Sequence, residues 1–189
     1  MVKHRMSHSG LPKVIFITDA VRIPHSDRVI ASLPPYSAVI IRDYDHPERE
    51  TYARRIVQIA HRRGIRALVA GDAELARKVG ADGLHMPEYQ LSIGMPPRSG
   101  FSLVTAATKS QKSMIRAVDI GVDMAVCSPV FATLSHPGAK EMGVHLLSRI
   151  LKCAPLPVVA LGGINQTTSK KLQGLTVAAT AAIDGFSKD

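Results

Sequence analysis

The chain has 189 residues, 46% hydrophobic and 21% charged, which suits one globular domain with a sizeable core rather than a disordered or fibrous chain. The longest apolar runs, such as Pro155 to Leu161, are far too short to cross a bilayer. A formal net charge of +9 favours anionic partners, but there is no Trp and only 4% of residues are aromatic, so nucleic-acid binding by base stacking ranks last.

The opening "MVKHRMSHSGLPK" is basic and polar with no apolar stretch behind it, so residues 1–12 read as a flexible basic tail and not as a secretory signal. Residues 13–189 then form the single domain, expected in the cytoplasm. Cys127 and Cys153 fall on a predicted strand and at a predicted helix end, with no Cys or His at metal-ligand spacing. Buried free thiols are expected there, not a zinc site.

Short apolar runs alternate with amphipathic stretches throughout. "VIFIT" (Val14 to Thr18) and "AVIIR" (Ala38 to Arg42) are the first two predicted strands. "ERETYARRIVQIAHRRG" follows as a helix, with Tyr52, Ile56, Ile59 and Ala60 on one stripe, arginines opposite and Gly64 just past its end. After "RALVA" (Arg66 to Ala70), "GDAELARKVG" reads as a helix that Asp72 can cap, with Leu75, Ala76 and Val79 inside. "GLHM" (Gly83 to Met86) and "SLVTA" (Ser102 to Ala106) are strands, and "KSQKSMIRAVDIG" is a helix with Met114, Ile115 and Val118 inward. "MAVC" (Met124 to Cys127), the helix "GVHLLSRIL", "VVAL" (Val158 to Leu161), the Asn165-capped "NQTTSKKLQG" and "TVAAT" (Thr176 to Thr180) complete the series.

The strands are near-continuously apolar, as parallel strands covered on both faces are. "VGADGLHMP" and "IGVDMAVCSP" echo one another: a helix-ending glycine, an Asp two residues on, a strand, then proline. Such repeated units predict a compact (β/α)8 TIM barrel. An open doubly wound sheet is the alternative, disfavoured because no glycine-rich dinucleotide fingerprint follows the first strand. Only "AAIDGFSKD" remains after the eighth strand, so the final helix is shortened, or a second copy in a homodimer covers the gap.

Ligands of such barrels meet the carboxyl ends of the strands. Residues collected there include Asp19, Arg42, Asp43, Gly71, Asp72, Glu88, Lys109, Thr133, Ser135, His136, Gly162 and Gly163. In "LGGIN" the glycine pair lets backbone N–H groups approach an anion, as the loops after strands seven and eight of these barrels do. A tight turn needing positive φ is the plain alternative. Thr133 and Ser135 add hydroxyl donors. His85 reads as a hydrogen-bonded barrel residue, and Asp19 as either a site residue or a cap.

At these residues the chain resembles the thiamine phosphate synthase and thiazole tautomerase (TenI-like) family. The segments "VIFITDA", "AVIIRDY", "GDAELARKVGADGLHM", "CSPVFAT", "GVHLL", "PVVALGGIN" and "VAATAAI" follow its order and spacing across residues 14–183. The resemblance implies a barrel that binds thiazole phosphate, the synthase joining it to a pyrimidine with magnesium pyrophosphate as leaving group.

Position by position, the synthase pattern thins. Its Gln, Arg and Lys after strand two are here Ile40, Arg42 and Tyr44. Its Asn and magnesium-binding Asp after strand three fall at Ala70 and Gly71, leaving Asp72, one residue along, as the candidate metal ligand. A second magnesium-binding Asp falls at Gln90, and the lysine of the family's "TxTK" falls at His136. The strand-five Ser and His become Ala107 and Lys109, and the tautomerase branch's acid–base His falls at Pro129.

The expectation is therefore a phosphate monoester held by Thr133, Ser135, Gly162 and Gly163, with Arg42 on the substrate. His136 and Lys109 are the candidate catalytic bases or anion partners, each with a solvated side chain as the alternative. Magnesium is weakly supported and synthase turnover doubtful. A non-catalytic binding or regulatory barrel is the rival reading.

Overall fold

Eight strands of four to six residues, β1 (Val14–Ile17), β2 (Ala38–Ile41), β3 (Arg66–Ala70), β4 (Gly83–Met86), β5 (Leu103–Thr108), β6 (Met124–Cys127), β7 (Val158–Leu161) and β8 (Ala179–Ala182), follow one another around a closed parallel barrel. The last pairs with the first through Val14↔Thr180, Ile15↔Ala181 and Phe16↔Ala182. The structure is a computed structural model that describes residues 10–133, 135 and 138–185. The candidate base His136 lies outside the described residues.

Strand alternation sorts the core into two layers. Ile15, Ile17, Ala38, Ile40, Leu68, Leu103, Met124, Val126, Val159, Ala179 and Ala181 fill the barrel interior. Their neighbours Phe16, Val39, Val69, Leu84, Val104, Ala125 and Ala160 pack outward against the helices. Both faces of each strand are thus dry, which is why the sequence shows unbroken apolar runs.

The helices are α1 (Ser26–Ser32), α2 (Arg49–Arg62), α3 (Ala73–Lys78), α4 (Gln111–Asp119), α5 (Gly143–Cys153) and α6 (Gln166–Ser169). Asp72 caps α3 by accepting from Leu75 N at 2.8 Å, and Asn165 caps α6 by accepting from Thr167 N and Thr168 N, both at 2.9 Å. A 3-10 turn, Glu88–Ser92, replaces the helix between β4 and β5. After β8 the described chain runs only through Ile183, Asp184 and Gly185, without a helix. No helix of the described residues is long and apolar enough to cross a membrane.

The internal echo has a structural meaning. Asp82 N donates to Ala67 O and its carboxylate accepts from Ala67 N, each at 2.8 Å. Asp123 repeats both bonds with Val104, again at 2.8 Å. Each aspartate therefore latches the start of its strand to the strand before it.

Three expectations need correction. The eighth strand is Ala179–Ala182 and not Thr176 to Thr180, because its register is set by partners: Ala179 faces Val159 and Thr180 faces Ala160, so Thr176 and Val177 become the approach. Ile115 is 52% exposed, and Ala117 takes the inward position beside Met114. Cys127 is buried as expected, but Cys153, the last residue of α5, is exposed.

Candidate functional site at the strand carboxyl ends

The inward positions at the end of β1 and β2 carry Asp19 and Arg42, which form an ion pair at 3.0 Å. Thr18, the residue before Asp19, ties the two loops: its hydroxyl donates to the Asp43 carboxylate and accepts from Arg42 N at 3.1 Å. Asp43 also accepts from Ala20 N at 2.5 Å. Arg42 is thereby fixed at the barrel mouth and not left to sample solvent.

Below it lies His85, 8% exposed, whose Nδ1 bonds the Thr105 hydroxyl at 2.8 Å. Burial, and secondarily the Arg42 charge, lower its pKa from 6.5 to about 4, so the imidazole is neutral at pH 7. Its expectation as a hydrogen-bonded barrel residue agrees with this placement.

One corner of the mouth is built by β6, β7, β8 and β1. Gly162 and Gly163 have φ of 101° and 62°. A Cβ on Gly162 would stand 2.8 Å from Pro129 Cα, and one on Gly163 would stand 2.2 Å from Ala132 O, so the loop after β6 approaches as only glycine permits. The bonds made here use the glycine carbonyls: Phe131 N donates to Gly162 O at 3.0 Å, and the Thr168 hydroxyl to Gly163 O at 2.7 Å. Among the described residues neither glycine N–H donates a hydrogen bond.

Ser135 and the half-buried Thr133 stand in the same loop, Ser135 N donating to the Thr133 hydroxyl at 3.3 Å. The Ser135 hydroxyl accepts from Arg22 at 2.7 Å, and Arg22 also pairs with Asp184 just beyond β8. Loops from β1, β6 and β8 are thus joined by one guanidinium. In the short α6, Asn165 occupies the Thr167 and Thr168 N–H groups of the first turn.

Across the barrel, β2, β3 and β4 form a second corner. Arg49 on the first turn of α2 donates to Ala70 O at 2.6 Å and pairs with Asp72 at 3.4 Å. Its guanidinium carbon lies 5.4 Å from the Tyr44 ring centre, and its buried Nε has no hydrogen-bond partner among the described residues. Gln90 Nε2 donates to Gly71 O at 2.8 Å, so the two positions that resemblance marks for magnesium carboxylates touch one another.

These residues do not fit a magnesium ion. The ion prefers several carboxylate or water oxygens, whereas Gly71 has no side chain and Gln90 presents an N–H donor. Asp72 is engaged by its helix cap and by Arg49. A divalent ion about 4 Å from that guanidinium would meet repulsion of roughly 8 kcal/mol at an effective dielectric of about 20. Among the described residues no group of three or more His, Cys, Asp or Glu is placed to hold a metal ion.

Lys109, exposed just past β5, has its N–H bonded to Glu88 at 3.1 Å, and among the described residues its ammonium has no ion-pair partner. Arg22 and Arg49 were missed by sequence reasoning. Arg22 lies five residues beyond β1, and Arg49 opens a helix, the ends of both elements that a (β/α)8 barrel directs at its mouth. A cavity of about 1040 Å³ opens instead at the opposite end, lined by Lys13, Asp123, Pro157 and Ala178 at the strand starts. The mouth is identified by topology and convergent polar groups, not by volume.

The barrel superposes on thiamine phosphate pyrophosphorylase from Pyrococcus furiosus with a TM-score of 0.76 over 94% of this chain and 87% of that one, at 24% identity. KDPG aldolase from Legionella pneumophila also aligns, at a TM-score of 0.61 over 93% of this chain and 84% of that one with 14% identity, so architecture alone does not select a chemistry. In sequence, the chain is 28% identical to thiamine-phosphate synthase of Thermoplasma acidophilum over 78% of its own length and 71% of the relative's. It is 25% identical to that of Caldanaerobacter subterraneus subsp. tengcongensis over 80% and 70%. The sequence model of the thiamine monophosphate synthase family matches residues 15–186. The chain belongs to the thiamine monophosphate synthase family.

Proposed function

We propose that the protein binds a phosphorylated thiazole-type ligand at the barrel mouth and that its synthase turnover is weak. The observation that carries this reading is the corner at Gly162 and Gly163: two N–H groups that donate no bond among the described residues, the Thr133 and Ser135 hydroxyls, and the Arg22 guanidinium on Ser135. Hydroxyls, amides and a guanidinium are the donors that a phosphate monoester needs. Arg42, held by Asp19, faces the rest of the ligand from the neighbouring end of β2.

Weak turnover follows from the other corner. Joining a thiazole phosphate to a pyrimidine diphosphate requires charge stabilisation on the departing diphosphate. Gly71 and Gln90 supply no carboxylate for a metal, and neutral His85 offers no positive charge at pH 7. The same observation favours a second reading, a phosphate-ligand binding or regulatory barrel without turnover.

Calorimetry with thiazole phosphate and with its dephosphorylated alcohol tests binding: the phosphate ester is expected to bind at least tenfold more tightly, and equal affinities would refute the corner. Pyrophosphate release with both substrates and magnesium separates the two readings. Near-normal turnover would overturn the reading of Gly71 and Gln90.

A further inference from the structure

The hollow at the opposite end of the barrel plays no part in the chemistry of the mouth. Its volume of about 1040 Å³ lies at the upper end of small-molecule sites, which run to about 1,000 Å³. The segments that lead into β1, β6, β7 and β8 wall it, together with the last turns of α4 and α5. Met95, Val118, Ile120, Leu151, Ala154 and Val177 line it, and each is only half-buried. All six pack against the outer core layer and keep the rest of their surface open. Apolar surface left uncovered in one contiguous place marks a binding site more often than scattered exposed residues do.

The charges at its edge are unequal. Asp123 is fully engaged: its carboxylate accepts from Val104 N at 2.8 Å and pairs with Arg98, whose guanidinium also donates to Gly121 O at 2.6 Å. Lys13 also lines the hollow, and its ammonium has no hydrogen bond or ion pair among the described residues. Residues 1–9, which precede it, contain Lys3 and Arg5 and no Asp or Glu. An apolar floor with a single unpaired cation at its rim complements a ligand with an apolar body and one anionic head. A lone ammonium is a point charge suited to a monoanion, whereas a phosphate group calls for several converging donors.

We propose that this hollow is a second binding site, which takes an aliphatic monocarboxylate: its chain lies on Val118, Leu151 and Val177, and its head pairs with Lys13. The site stands at the strand starts, away from the mouth, and is independent of the ligand proposed there.

Calorimetry of the full chain with decanoate and with decyltrimethylammonium, which has the same chain and the opposite charge, tests it. Decanoate is expected to bind one per chain and about tenfold or more tightly than the cation. Hexanoate is expected to bind about tenfold or more weakly than decanoate, because burial of the longer chain drives association. Lys13→Met should weaken decanoate about fivefold or more, as loss of a charge-assisted bond does. Lys112→Met, which removes an exposed charge from the start of α4, should leave its affinity unchanged. Equal affinities for the two head groups, no gain with chain length, wild-type decanoate affinity in Lys13→Met, or equal weakening in Lys112→Met would each overturn the proposal. Binding that appears only after residues 1–9 are removed would overturn it by assigning the hollow to that segment. A dimer in sedimentation that decanoate dissociates would overturn it by assigning the hollow to a second copy. Thiazole phosphate binding is expected to be unchanged in Lys13→Met, so its absence in the wild type would count against the mouth alone.

Discussion

Protonation of His85 should make this barrel acid-sensitive by an amount that can be worked from its environment. The imidazole is buried against Thr105 beneath Arg42, and its pKa falls from 6.5 to about 4. Between those values the unfolded chain binds a proton that the native protein refuses, so stability is full above pH 6.5 and is lost as pH falls from 6.5 through about 4. With about 1.36 kcal/mol per pKa unit, the loss between pH 7.5 and pH 5 is about 2 kcal/mol, and it approaches about 3 kcal/mol below pH 4.

Urea unfolding of wild type and His85→Gln at both pH values isolates this contribution, since the other titrating groups cancel in the difference. Gln can still bond the Thr105 hydroxyl but has no proton to gain. The wild type is expected to lose about 2 kcal/mol more than the variant on going to pH 5, or about 1 M in urea midpoint at an m-value of about 2 kcal/mol/M. Equal losses in the two proteins would refute the burial argument.

Two further outcomes probe the glycine corner. Gly163→Ala combines a left-handed backbone with a Cβ 2.2 Å from Ala132 O, so it should cost about 2–5 kcal/mol in urea unfolding; a loss below about 1 kcal/mol would mean that the loop after β6 yields easily. Arg22→Gln should weaken thiazole phosphate binding about tenfold in calorimetry, whereas Asp184→Asn, which removes the carboxylate competing for Arg22, should strengthen it severalfold. Weakening in both would mean that Arg22 and Asp184 merely tie the loops together.

Much of the architecture was legible in the chain because the physics is local and repetitive. A strand dry on both faces must be continuously apolar, and a helix packed on one face must show a stripe, so seven of the eight strands and the helix caps at Asp72 and Asn165 could be placed from sequence. The eighth strand slipped by three residues because "TVAATAAI" is equally apolar in either frame, and only pairing with β7 and β1 fixes it. Ile115 and Cys153 were misplaced for a similar reason: at a helix edge or end, periodicity does not say which neighbour arrives to cover the side chain.

The site divides along the same line. The sequence by itself determined a barrel, which strand ends meet at its mouth, and which residue types stand where the family places Gly71, Gln90, Gly162 and Gly163. Only the tertiary structure decided how those residues are engaged. Ser135 is held by Arg22, Asp72 by its helix and Arg49, and Gln90 by Gly71, through contacts between residues far apart in the chain. Local periodicity reports whether a side chain faces in or out, but the charge and hydrogen-bond partner it meets there come from another strand's loop, and closure of the barrel alone brings those loops together.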